Sequence, residues 1–131
     1  MEEPGPAILV VDDDDLVRET IGVTLSEAGF DVVTAATAWE AVALADERRF
    51  DLVVADIGLP GGLSGLQMAQ HVRERQPELR CLFISGQNDP VICDPRLDDF
   101  VAKPIRPALL VGCIWKVLRG NFPYPRIDVA R

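Results

Sequence analysis

Five times along this chain a short apolar run is paired with a longer stretch of helical spacing, and this alternation most constrains the fold. Residues 8–11, Ile-Leu-Val-Val, form the first compact run. From residue 16 to 28, Val17, Ile21, Thr24, Leu25 and Ala28 recur at the spacing of one helix face, and Gly29 stands where helices commonly end in a left-handed residue. Residues 31–35 read as a second strand. Thr37 and Glu40 form a capping-box pattern that opens a helix to about Arg48, with Ala38, Ala41, Val42 and Ala45 as its apolar stripe. Residues 52–55 give a third strand, followed by a glycine-rich loop over 58–62. Ser64 and Gln67 form a second capping box, for a helix reaching about Arg75 and stopped by Pro77. Residues 80–84 and 100–102 are the fourth and fifth strands. Pro107 opens a last helix whose buried stripe is Leu110, Cys113, Ile114 and Val117, and Gly120 ends it.

Such alternation predicts an α/β fold with a parallel sheet covered by helices on both faces. The strands are continuously apolar, as strands buried on both sides must be. One segment breaks the pattern. Between the fourth and fifth strands, residues 87–99 contain Asp89-Pro90, which suits a helix start, and Pro95, which would break that helix within about two turns. A short or irregular helix is expected there. Residues 1–6 and 120–131 read as tails, leaving 7–119 as one domain.

Charge and cysteine content narrow the function. The chain has 131 residues, with 13 basic against 21 acidic side chains and a net charge of −8. A domain that grips nucleic acid through phosphates carries a basic face, so no direct nucleic-acid partner is expected. The longest strongly apolar run, residues 108–115, is too short to cross a bilayer, and residues 1–4 have no leader character, so a cytoplasmic location is the default. Cys81, Cys93 and Cys113 are scattered, and His71 is the one histidine, so zinc is not expected and the thiols read as small apolar residues. His71 lies beside Arg73, Glu74 and Arg75, which places it on a solvated helix face.

In an open α/β sheet, ligands bind beyond the carboxyl ends of the strands. The first strand is followed there by Asp12, Asp13, Asp14 and Asp15, the third by Asp56, the fourth by Ser85, and the fifth by Lys103-Pro104. Three converging carboxylates repel one another and call for a cation. An oxygen-only set suits Mg²⁺, a hard ion that keeps several waters and invites a phosphoryl group. A carboxylate can attack that group to give an acyl phosphate, and Ser85 and Lys103 can supply donors and positive charge to its oxygens. Within the acidic run, Asp12 and Asp13 are assigned to metal, and Asp14 or Asp15 to capping the first helix.

The motifs Ile8-Leu9-Val10-Val11-Asp12-Asp13, Asp51 to Pro60, Phe83-Ile84-Ser85-Gly86 and Phe100-Val101-Ala102-Lys103-Pro104, in this order and spacing, resemble the receiver domain of bacterial two-component response regulators. The resemblance covers roughly residues 7–119. It implies a flavodoxin-like (βα)5 fold with strand order 2-1-3-4-5. It also implies Asp56 as phosphoacceptor, and Mg²⁺ held by Asp12, Asp13, Asp56 and the backbone carbonyl of Gly58. Ser85 and Phe100 would be the switch pair, and Lys103 the ammonium on the phosphoryl oxygens, joined to Pro104 by a cis bond. The implied partners are a histidine kinase or histidine phosphotransfer protein and a downstream protein. The phosphoacceptor would promote its own phosphorylation and dephosphorylation without being a conventional enzyme.

The match has departures. The loop over 60–65 is one residue longer than the commonest form, and Gly86 stands where alanine is more frequent. The segment before the fifth strand is degraded, although partners of many receivers read that side. These loops look most like receivers of hybrid histidine kinases, or single-domain relatives. Two other readings compete. A haloacid-dehalogenase-like phosphatase would use the Asp12-x-Asp14 pattern, but beyond Lys103 the next acid is Asp128, in the tail. A phosphorylation-independent interaction module would not need the full set of Asp12, Asp13, Asp56, Ser85 and Lys103.

Overall fold

A computed structural model describes residues 5–86, 94 and 96–119. Its elements are β1 (Ala7–Val11), α1 (Asp15–Glu27), β2 (Asp31–Ala35), α2 (Ala38–Glu47), β3 (Leu52–Asp56), α3 (Gly65–Arg73), β4 (Arg80–Ser85), β5 (Asp98–Ala102) and α4 (Pro107–Leu118). The five strands form one parallel sheet in the order β2-β1-β3-β4-β5, as the resemblance implied. The helix expected between the fourth and fifth strands falls mostly on residues 87–93 and 95, outside those described.

Side chains alternate across the sheet and divide the core in two. Leu9, Val11, Val53, Ala55, Cys81 and Phe83 pack against Ala38, Ala41 and Ala45 of α2 and Met68, Ala69 and Val72 of α3. Ile8, Val10, Leu52, Val54, Leu82 and Ile84 pack on the other face against Ile21 and Leu25 of α1 and Leu110, Ile114 and Val117 of α4. Cys81 is part of the first core, where burial pushes its thiol up to about 12, so it behaves as the small apolar residue expected.

The helix ends follow local chemistry. Gly29 takes a left-handed φ of 100° after α1. The Thr37 hydroxyl accepts from the Glu40 amide at 3.0 Å. At Ser64 the box is reciprocal: the Gln67 amide donates to the Ser64 hydroxyl at 3.2 Å, and the Ser64 amide donates to Gln67 Oε1 at 2.9 Å. α3 ends before Pro77 is reached, because the chain turns to bury Gln76. Gln76 Nε2 donates to the Ala45 and Arg48 carbonyls at 2.8 and 3.1 Å, and its Oε1 accepts from the Phe50 amide at 3.3 Å. One side chain thereby serves backbone groups at the C-terminal end of α2 and just beyond it.

Two expectations need correction. β5 begins at Asp98, two residues earlier than the apolar run indicated. Asp98 and Asp99 are accordingly buried strand residues and not loop residues. Arg73 does not lie on a solvated face either. Its guanidinium reaches Asp98 Oδ1 at 2.5 Å and the Leu79 carbonyl at 2.9 Å, tying α3 to the start of β5. His71 is half-buried, with its ring 5.4 Å from that of Trp39.

Candidate functional site

β1 ends at Val11, in register with Ala35 on one side and Ala55 on the other. The next residue, Asp12, stays tied to the sheet through its amide, which donates to the Ala35 carbonyl at 3.2 Å. Its carboxylate is 3% exposed in the residue's overall accessibility and accepts from the Asp14 amide at 2.9 Å. Asp14 in turn caps α1, its Oδ1 accepting from the amides of Leu16 and Val17 at 2.9 and 3.1 Å. Asp15 lies in the first turn of α1 and pairs with Arg18. Of the two candidates the sequence offered for the cap, Asp14 is the one that serves, while Asp13 stays exposed.

Asp56 is the last residue of β3 and is buried. Its two oxygens have different neighbours. Oδ1 accepts from the Gly58 amide at 2.8 Å, and Oδ2 lies 2.9 Å from Lys103 Nζ. Lys103 follows β5, its amide donates to the Ser85 carbonyl at 3.0 Å, and the Lys103–Pro104 peptide bond is cis. Ser85 ends β4 opposite Ala102. Phe100 pairs with Phe83 across β4 and β5, with ring centroids 5.6 Å apart.

Carboxylate oxygens of Asp12, Asp13 and Asp56 lie within 4.8 Å of one another. Burial raises the pKa of Asp12, and the neighbouring charges of Asp56 and Asp13 raise it further, against the lowering effects of the Asp14 amide and Lys103. Among the described residues one ammonium, that of Lys103, faces these three acids, so negative charge is left over where Asp12 and Asp56 are buried. A divalent, oxygen-seeking cation fits that donor set, and Mg²⁺ is the ordinary choice. The acids form one end of a 770 Å³ groove whose other lining includes Leu16, Val17, Ile21, Ile105 and Pro107.

One residue the sequence reading passed over is Gly65, taken there only as part of a helix start. A Cβ at this position would lie 2.4 Å from the Asp56 carbonyl oxygen and 3.0 Å from Ile57 Cα. The Gly65 amide donates to the Ile57 carbonyl at 3.0 Å. The first turn of α3 is therefore pressed against the backbone that carries Asp56. The signal available in the sequence was a glycine directly after a good N-cap, where a side chain would ordinarily serve the helix better.

The family model for the response regulator receiver domain matches residues 8–114. This chain belongs to that family. Members are phosphoacceptor modules of two-component signalling. The transcriptional regulatory protein AruR of Pseudomonas aeruginosa is 36% identical over 87% of the chain and 50% of its own length. AfsQ1 of Streptomyces coelicolor is 32% identical over 87% of the chain and 52% of its own length. The chain therefore spans about half the length of these curated relatives. Among solved structures, a response regulator receiver protein from Sinorhizobium medicae superposes with a TM-score of 0.78 at 25% identity, covering 89% of this chain and 97% of that one. The chemotaxis response regulator CheY4 of Vibrio cholerae gives 0.76 at 26% identity, covering 86% and 98%. Membership in the receiver family displaces the phosphatase reading of Asp12 and Asp14. No helix among the described residues is long and apolar enough to cross a membrane.

Proposed function

We propose that this receiver takes a phosphoryl group onto Asp56 from a phosphohistidine of a histidine kinase or histidine phosphotransfer protein, in a Mg²⁺-dependent transfer in the cytoplasm. The observation that carries the reading is the setting of Asp56: a buried carboxylate at a strand end, 2.9 Å from an ammonium and grouped with two further acids. An Asp56 oxygen attacks phosphorus, the P–N bond breaks, and its electron pair stays on the imidazole nitrogen of the donor. Asp12, Asp13, Asp56 and the Gly58 carbonyl would hold the ion, which neutralises carboxylate and phosphoryl charge when bound. Lys103 stands ready to follow the phosphoryl oxygens, and Ser85 to donate to one of them. Phe100, half-buried against the fully buried Phe83, would carry the change to a protein-binding surface read by a downstream protein. The apolar flank of the groove, with Leu16 72% exposed beside the acids, gives the donor protein a dry surface to rest on.

Acetyl phosphate with Mg²⁺ should add one phosphoryl group to the protein, read by intact mass, and Asp56→Asn should remove the label. Normal labelling of Asp56→Asn would defeat the assignment. Partner affinity that is independent of phosphate and unchanged in Asp56→Ala would point instead to a plain interaction module.

A further inference from the structure

We infer that Arg18 is a positioning residue for the metal pocket, an assignment that rests on the phosphoacceptor reading above. Arg18 lies on α1, and its side chain is 20% exposed. Its guanidinium folds back along the helix to the end of β1, where Nη1 donates to the Asp12 carbonyl at 2.8 Å, while Nη2 holds Asp15 Oδ1 at 2.5 Å. A planar guanidinium can hold two acceptors in one fixed geometry, which a lysine cannot.

The contact to Asp15 adds little to stability. The Asp15 side chain is 90% exposed, and such pairs are worth about 0–1 kcal/mol. The contact to Asp12 is a different matter. The Asp12 amide is held by the Ala35 carbonyl, its carboxylate by the Asp14 amide, and its carbonyl by Arg18. The peptide between Asp12 and Asp13 joins both acids of the pair, so holding its carbonyl restrains the backbone from which the two carboxylates project. Arg18 therefore acts on the ion through the backbone of its ligands. Groups that orient metal ligands from outside the ligand set typically change metal affinity by roughly 10–100-fold when removed.

The sign of the effect separates this role from simple electrostatics. Removing a cation beside an acidic pocket should tighten Mg²⁺ binding by Coulomb's law, whereas removing a positioning group should weaken it. The test is an NMR titration of the full chain with MgCl₂, following the amides of Asp14 and Gly58 in wild type, Arg18→Met and Arg18→Lys. Arg18→Met should bind Mg²⁺ roughly 10-fold more weakly, and Arg18→Lys, which keeps the charge but loses the fork, should also bind more weakly than wild type. Equal or tighter binding by Arg18→Met overturns the inference and leaves the phosphoacceptor reading standing. A wild type that shows no Mg²⁺-dependent shift overturns the metal reading and this inference together. If Arg18→Met does not fold, Arg18→Lys decides, and wild-type affinity in that variant overturns the role.

Discussion

Among the described residues, Asp98 at the start of β5 and the pair Asp12 and Asp56 across the sheet are buried carboxylates treated in opposite ways. At the start of β5, Asp98 is closed off: Oδ1 meets Arg73 at 2.5 Å, and Oδ2 accepts from the Asp94 amide at 2.9 Å. At the far end of β1 and β3, Asp12 and Asp56 lie among like charges with one ammonium between three acids. The first arrangement is complete within the chain. The second leaves charge over, and under the proposed function an ion and a phosphoryl group would complete it.

The largest expected effect breaks the completed side. Arg73→Met leaves Asp98 buried without its main partner and should lower stability by about 3–5 kcal/mol in urea unfolding. The double variant Arg73→Met/Asp98→Asn should recover most of that loss. A double variant as unstable as the single one would show that Arg73 acts through packing and not through the pair. Next comes the backbone support of the working side. Gly65→Ala forces a Cβ into the Asp56 carbonyl and should cost about 1–3 kcal/mol, with acetyl phosphate labelling slowed as well. Wild-type labelling in that variant would mean that α3 does not hold Asp56 in place.

The smallest effect has the opposite sign. Burial raises the Asp12 pKa, so the folded protein holds that proton more tightly than the unfolded chain does. Stability is therefore lost as pH rises from the ordinary value of 3.8 through the raised one. Asp12→Asn escapes the loss. At pH 7 without Mg²⁺ it should melt higher than wild type, by roughly 4 °C for each ~1 kcal/mol relieved. The advantage should shrink as the pH is lowered to below 3.8. Adding Mg²⁺ should raise the wild-type melting temperature and do little for Asp12→Asn. A variant that melts below wild type at pH 7 would place Asp12 with Asp98, as a structural acid.

The working side was the legible one. Asp12, Asp56, Ser85 and Lys103 each stand at the carboxyl end of an apolar run, so finding the strands also brought these four residues to one edge of the sheet. The capping signals at Thr37 and Ser64 were readable for a similar reason, since the side chain and its acceptor lie three residues apart. The completed side was not legible. Asp98 and Asp99 look like loop residues because two consecutive aspartates suit a strand poorly. What holds Asp98 in a strand is Arg73, 25 residues earlier in the chain and itself inside a run of charges that reads as solvated. Gln76 and Gly65 escaped notice in the same way, since both are explained by backbone that only the folded chain brings near. Signals confined to a few residues could be read, whereas those that depend on a distant partner could not.

The bond from the Lys103 amide to the Ser85 carbonyl extends the β4–β5 ladder by one rung beyond the paired strands. Ser85 and Lys103 are thus mounted on two rails joined at their tips, and neighbouring rails in a sheet lie about 4.8 Å apart. The span between the two mountings is set by the hydrogen-bond ladder, not by loop motion. If the hydroxyl and the ammonium share a guest, as the proposed function has it, that guest would be gauged by this width, like a workpiece between the jaws of a caliper, with only the reach of the two side chains left to adjust.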